Sequence, residues 1–175
     1  MSRPKVIVTR RWHPDVEAVL TERYDTQLNQ DDHPMSVSEL QDALRSADAV
    51  LPTVSDKVDA EVLGADNIRT RILGSNGVGF NHIDLDAAKA AGLTVTNTPE
   101  VLTDCTADLA MTLLLAVARR AGEGERHLRS GEWTGWRPTH MMGTSVTGKT
   151  LGLIGMGRIA RAVAARAAHG FNMKI

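Results

Sequence analysis

Charge of one sign, cysteine and long apolar runs are all scarce in this sequence. Lys and Arg number 20 against 21 Asp and Glu, for a net charge of −1. Such a balance leaves no electrostatic footprint for nucleic acid or for an anionic membrane, and neither partner is expected. Cys105 is the one cysteine. A disulfide framework is therefore excluded, and a reducing, cytoplasmic setting is expected. The most apolar stretch, Ala107 to Ala118, is interrupted by Asp108 and Thr112 and is too short to span a bilayer. The opening "MSRPKVIVTRR" has only a few apolar residues between its charges, so it reads as a first strand and not as a signal peptide. His13, His33, His127 and His169 lack metal-like spacing, and no metal site is expected.

What is present is a composition of 42% hydrophobic and 23% charged residues over 175 positions. That suits a soluble globular chain of one comfortable domain or two small ones. The first hundred residues alternate strand and helix. "KVIVT" is a short β-branched strand. "HPDVEAVLTERY" is a helix with Pro14 in its first turn and Val16, Val19 and Leu20 on one face. "DTQLN" is an edge-type strand. "SVSELQDALRSA" opens with Ser36 and Glu39 at capping-box spacing. Strands are expected again in "DAVLPTV", "RILGSNG" and "LTVTNTP", with helices between them, the last ending at Gly92. Five strands with intervening helices predict a parallel, doubly wound α/β sheet.

The pattern changes after Pro99. "TDCTADLAMTLLLAVARR" predicts a long helix from about Asp104 to Arg120, apolar nearly all round and so expected to be buried between layers or subunits. Cys105 is expected to be a buried small group at its start. The stretch "GEGERHLRSGEWTGWRPTHMMG" reads as a short helix plus an excursion too polar to bury both Trp133 and Trp136. "KTLGLIGMG" predicts a strand over Thr150 to Ile154 that enters a glycine turn. "RIARAVAARAAHG" predicts a helix with Ile159, Ala160, Val163, Ala164 and Ala167 on one face and Gly170 as its cap.

Two phosphate-binding patterns lie almost end to end here. Gly143 to Thr150 reads G-x-x-x-x-G-K-T, and Gly155 to Ala160 reads G-x-G-x-x-A. A P-loop must follow a strand and open a helix. No strand pattern precedes Gly143, and the glycine-rich "LGLIGMG" after Thr150 cannot be a good helix, so that reading is rejected. The second pattern has a strand before it and a helix after it. Gly155 permits the tight turn, Gly157 lets the backbone approach a pyrophosphate, and Ala160 lets helix pack on strand. Arg158 and Ile159 would then present backbone amides to the phosphates.

"SNGVGFNHIDLDAAKAAGLTVTNTPEVLTDCTADLAMTLLLAVARR" followed by "GKTLGLIGMGRIARAVAARAAHGFNMKI" resembles the D-2-hydroxyacid dehydrogenases over essentially the whole chain. "TPEVLTDCTADLA" and "GEWTGWRP" point to the glyoxylate/hydroxypyruvate reductase branch. The resemblance implies a flavodoxin-like substrate domain over residues 1–99. Residues 100–175 would then carry a linker helix, a dimer arm and the first βα unit of a Rossmann NAD(P)-binding domain. It implies reduction of a small 2-keto acid, glyoxylate or hydroxypyruvate. The cofactor would be NAD or NADP, with NADP somewhat preferred; the residue that selects between them would lie beyond Ile175. Val78 and Gly79 match the backbone amides that hold the substrate carboxylate, and glycines at 77 and 79 allow the close approach that such binding needs. Thr106 matches a turn that faces the nicotinamide; its alternative role is a local cap. The family's catalytic Arg, Glu and His would also lie beyond Ile175. No catalytic residue is therefore assigned, and the 175-residue chain is expected to be inactive.

His82 beside the substrate loop reads as a packing or capping residue, and His140 as a group that approaches a site from a neighbouring subunit. A homodimer through the 107–140 region, with Trp136 lent to the partner's cleft, is the expected assembly. Two other functions remain open: a dehydrogenase of phosphoglycerate or another D-2-hydroxy acid, and a non-catalytic nucleotide-sensing scaffold like the related transcriptional corepressors.

Overall fold

Val6, Ile7 and Val8 sit on β1 (Lys5–Val8), which is hydrogen-bonded to a parallel neighbour on each side. The computed structural model describes residues 2–175. They form two compact units, one up to Pro99 and one over Glu100–Ile175. In the first, β1 is followed by α1 (Pro14–Arg23), β2 (Asp25–Leu28), α2 (Val37–Ser46), β3 (Ala49–Leu51), α3 (Ala60–Leu63), β4 (Ile72–Gly74), α4 (Leu85–Ala90) and β5 (Thr94–Thr96). The sheet is entirely parallel in the order β2-β1-β3-β4-β5. That is the flavodoxin-like order. Parallel neighbours need crossovers, and right-handed ones put the helices on the sheet faces. Ile7, Val50 and Leu73 from successive central strands meet Leu40 and Leu44 of α2 and Val62 of α3 in one buried cluster.

Local signals set the helix ends. Ser36 and Glu39 form the reciprocal capping box. Glu39 accepts from the Ser36 amide at 2.8 Å, and that bond, the Ser36 hydroxyl and the adjacent His33 hold its carboxyl down at about 2. At the end of α4, Gly92 takes a left-handed φ of 74°. Its amide donates to Lys89, and that of Leu93 donates to Ala88, which satisfies two carbonyls at once.

Helix α1 departs from the expected face. Val16 and Val19 are exposed, and Glu17 is buried at 5% exposure. Its carboxylate takes three bonds from Arg11, at 2.9, 3.2 and 2.8 Å, and one from the Trp12 amide at 2.8 Å. A carboxylate so bound can be buried where a hydrophobic count would place valine. The next loop repeats the device: Asp32 accepts from the Arg10 guanidinium and the Arg11 amide at 2.8 and 2.9 Å.

The second unit is built on α5 (Thr103–Ala118), α6 (Ala121–Arg129) and α7 (Arg158–Phe171). Ala107 and Met111 of α5 pack on Val163 and Ala167 of α7, with Met173 beside them. Only that face of α5 is buried within the unit; Leu109, Leu113 and Val117 are exposed. Cys105 is exposed as well, because it lies off the 107/111 face. The strand expected over Thr150 to Ile154 is a single parallel bridge, Thr150 to Lys174. A strand is defined by pairing along its length, and among the described residues no other pairing exists there. Helix α7 runs past Gly170 to Phe171 and ends at Asn172 in the left-handed conformation, which asparagine tolerates.

Arg11 and the Trp12 amide hold the Glu17 carboxyl below its usual range. Arg10 and the Arg11 amide hold that of Asp32 at about 2. A depressed folded value means the unfolded chain binds more protons, so stability rises with pH in that window. Melting temperature should hold from pH 7 to about 4.5, near the unfolded carboxylate value, and then fall as pH drops towards 2. Glu17→Gln should flatten part of that slope and lower stability at pH 7, read by thermal melts across the range.

Candidate functional site

Two sets of backbone amides are without a protein partner among the described residues, one in each unit. In the first unit, β4 runs into the loop Ser75–Gly79. Asn76 is tied down by its amide to Pro52 and by a bridge to Thr53, and Gly77 accepts from the Thr98 amide. The Asn97 side chain donates to the Val78 carbonyl at 2.9 Å. These bonds fix the loop from below and leave the Val78 and Gly79 amides without a partner among the described residues. A Cβ at Gly77 would lie 2.8 Å from a methyl of the exposed Val54, which would have to shift. Gly79 would meet nothing within 4 Å; its Cβ position is open space, where a ligand can come close to the main chain.

His82 turns out to be a support for this loop. Its Nε2 lies 3.0 Å from the Ser75 hydroxyl, and burial pushes its pKa down. Asp56 supports the neighbouring β3 loop. It accepts from the Thr9 hydroxyl at 2.6 Å and the Thr53 amide at 2.7 Å. The Asn97–Val78 and Thr9–Asp56 bonds were not visible in the sequence, because they span 19 and 47 residues.

The second unit holds the other five candidates, Thr106, Gly155, Gly157, Arg158 and Ile159. Gly155 has φ 91°, a conformation that excludes most side chains. Gly157 caps α7 in an extended conformation, with no side-chain capping bond and no acidic residue in the first turn. A Cβ at Gly155 or Gly157 would meet nothing within 4 Å. The N-terminus of this 14-residue helix therefore keeps its orphan amides and positive dipole end open. Arg158 lies 3.4 Å from Glu100, a partner that sequence spacing had not indicated. Thr106 sits in the first turn of α5, which has no side-chain cap. Its hydroxyl does not cap the helix and makes no hydrogen bond among the described residues.

Helices α5 and α7 start at the same end of the unit. Glu100, just before α5, meets Arg158 at the start of α7, and further along Asp104 and Asp108 meet Arg166. Two uncapped helix N-termini thus open in one direction. That arrangement fits the pyrophosphate of a dinucleotide, because it offers amide donors and positive dipole ends together.

The neighbouring P-loop pattern has a packing explanation. A Cβ at Gly143 would lie 2.8 Å from the Ala118 carbonyl oxygen, and the Thr144 amide donates to that same carbonyl at 2.7 Å. Gly143 lets the chain run close against the end of α5. Gly148 makes a left-handed turn, and Lys149 enters the bridge with Lys174 instead of opening a helix.

In the arm after α6, Trp133 and Trp136 are exposed, Trp136 at 81%. They line a concavity of about 380 Å³ with His127, Leu128 and His140. The His127 and His140 rings pack with their centroids 4.9 Å apart, tilted by 44°. Arg137 donates to His140 Nδ1 at 3.0 Å. Burial and the neighbouring cations keep His140 neutral to lower pH than usual. Among the described residues no group of three or more metal-ligating side chains occurs, and no helix is long and apolar enough to cross a membrane.

The sequence matches the family described as D-isomer specific 2-hydroxyacid dehydrogenase, catalytic domain, over residues 6–172. It is 40% identical over 177 residues to a glyoxylate reductase of Thermococcus onnurineus, covering 99% of this chain and 52% of that protein. It is also 40% identical over 175 residues to a glycerate dehydrogenase of Hyphomicrobium methylovorum, covering 100% of this chain and 54% of that one. A Polaromonas structure described as a D-isomer specific, NAD-binding 2-hydroxyacid dehydrogenase superimposes with TM-score 0.90 at 38% identity. It is covered over 53% of its length by 98% of this chain. The chain thus spans about half the length of the curated relatives it matches. The family match, the parallel sheet and the two amide clusters agree, and the chain belongs to the D-isomer specific 2-hydroxyacid dehydrogenases.

Proposed function

We propose that this protein takes part in the NAD(P)H-dependent reduction of a small 2-keto acid, glyoxylate or hydroxypyruvate, to the D-2-hydroxy acid. The observation that carries the reading is the open N-terminus of α7 behind a glycine turn in which a Cβ would meet empty space. In this reading the first unit is the substrate domain, and the second carries the linker helix, the dimer arm and the start of the cofactor domain. Gly155, Gly157, Arg158 and Ile159 hold the pyrophosphate through backbone amides. Thr106 offers its free hydroxyl to the nicotinamide side. The Val78 and Gly79 amides bind the substrate carboxylate. The bound nicotinamide supplies the hydride, and these residues contribute binding and orientation. NADP is somewhat preferred over NAD, and the setting is the cytoplasm. The exposed stripe Leu109, Leu113 and Val117 and the tryptophan arm form a homodimer contact that brings Trp136 to the partner's cleft. The 40% identity to a glycerate dehydrogenase along the whole chain supports hydroxypyruvate as the 2-keto acid, because its reduction gives glycerate.

Gly157→Val should weaken NADH and NADPH binding about 10- to 100-fold, because the branched side chain displaces charge-assisted bonds of about 1.5–3 kcal/mol. Lys149→Ala should leave nucleotide affinity unchanged. Calorimetric titration checks both, and equal affinity of the Gly157 variant and the unsubstituted protein would sink the cofactor assignment.

Gly79→Pro deletes one amide donor and should weaken glyoxylate binding at least about tenfold, with cofactor affinity nearly intact. Equal losses of both ligands would signal misfolding in place of a substrate contact. Sedimentation should report a dimer, and Val117→Asp should shift it towards monomer.

A further inference from the structure

We infer that Arg166 is a positioning residue for the cofactor: it clamps α7 to the first turns of α5 so that the two open helix N-termini face one ligand. The inference rests on the proposed cofactor reading and adds to it a residue far from the glycine turn. Arg166 lies eight residues after Arg158, about 12 Å along the helix, and cannot touch a pyrophosphate held at the first turn. Its guanidinium instead reaches across to α5. Nε donates to Asp108 at 2.6 Å, and Nη2 donates to Asp104 at 3.0 Å. A further bond, from Nη1 to the Ala162 carbonyl at 3.1 Å, orients the group on its own helix.

Asp104 is the first-turn carboxylate of α5, where a side chain ordinarily serves its own helix N-terminus. Here it points to Arg166, and α5 is left uncapped. Asp104 and Asp108 are one turn apart on the same face and repel each other unless a cation lies between them. Arginine's rigid planar fork engages both in one fixed geometry, which a lysine ammonium on its flexible stem does not impose. The apolar contact beneath is made of small and flexible side chains, Ala107, Met111, Val163 and Ala167. Such a surface allows sliding between neighbouring rotamers and does not by itself define register. The polar clamp does, and register decides where the Gly157 turn stands relative to Thr106.

The test uses the full chain and four variants: Arg166→Leu, Arg166→Lys, the double Asp104→Asn/Asp108→Asn, and Arg129→Leu as a control on α6. The readouts are fluorescence titration with NADH and NADPH, hydrogen exchange of the Thr106 and Arg161 amides, and thermal melting. Thr106 and Arg161 carry early bonded amides of their helices. Arg166→Leu and the double variant should each lose at least tenfold in affinity for both cofactors, measured below the melting transition. Exchange at both amides should rise. Arg166→Lys should recover part of the affinity, and Arg129→Leu should match the unsubstituted chain. Retained affinity in Arg166→Leu would overturn the inference, and so would a lowered melting temperature with affinity intact, since that is a purely structural role. Should Arg166→Leu not fold, the lysine and double-asparagine variants decide the matter by the same readouts. An unsubstituted chain that binds neither cofactor would overturn the cofactor reading itself, and this inference with it.

Discussion

The first unit depends on the double pairing of β1. Four residues, Lys5 to Val8, hydrogen-bond to β2 on one side, and three of them pair with β3 on the other. Backbone groups buried on both flanks must all be paired. β1 therefore sits at the centre of the β2-β1-β3 half of the sheet, from which β3 carries the order on to β4 and β5. The loops after β1, β3 and β4 then emerge at one edge of the sheet, where ligands of doubly wound folds bind. The Val78 and Gly79 amides are free because the sheet and the Asn97 bond meet the other needs of that loop. Charged residues stabilise the same edge. Arg10 and Asp32 link the loops after β1 and β2, while Arg11 and Glu17 anchor the start of α1.

The second unit rests on a different physical basis. Its core is one helix pair, with Ala107, Met111, Val163 and Ala167 in contact. So small a buried surface gives modest stability, and directional contacts carry more of the organisation. The Thr144 amide closes the end of α5, Gly143 allows that approach, and Arg166 ties the helices together. Each lies away from the glycine turn, and together they determine where that turn stands. A site made of backbone amides has no side chains to adjust, so its precision comes from the elements that carry it.

The sequence carried much of this. The capping box at Ser36 and the glycine after α4 were legible because capping is a local rule with fixed spacing. The choice between the two glycine patterns was legible too, because it turned on which one is followed by a helix. The buried Glu17 was not. Hydrophobic periodicity puts valine inside, and it cannot foresee that Arg11 and the Trp12 amide will satisfy a carboxylate from five and six residues away. Nor was the strand at Thr150 to Ile154 correctly read: its β-type residues state a propensity, while pairing depends on neighbours.

By itself the sequence determined the element order of the first unit, the parallel α/β class and the glycine turn, which follow from spacing along the chain, while the family was legible as a resemblance of long stretches. The tertiary structure alone decided which face of α1 is buried, that Gly143 serves packing, and that the free amides of the Val78 loop are backed by Asn97. It also decided that Arg166 spans two carboxylates about sixty residues earlier. The reason is physical: a hydrogen bond or ion pair between distant residues depends on where the backbone brings them, and no local pattern encodes that distance.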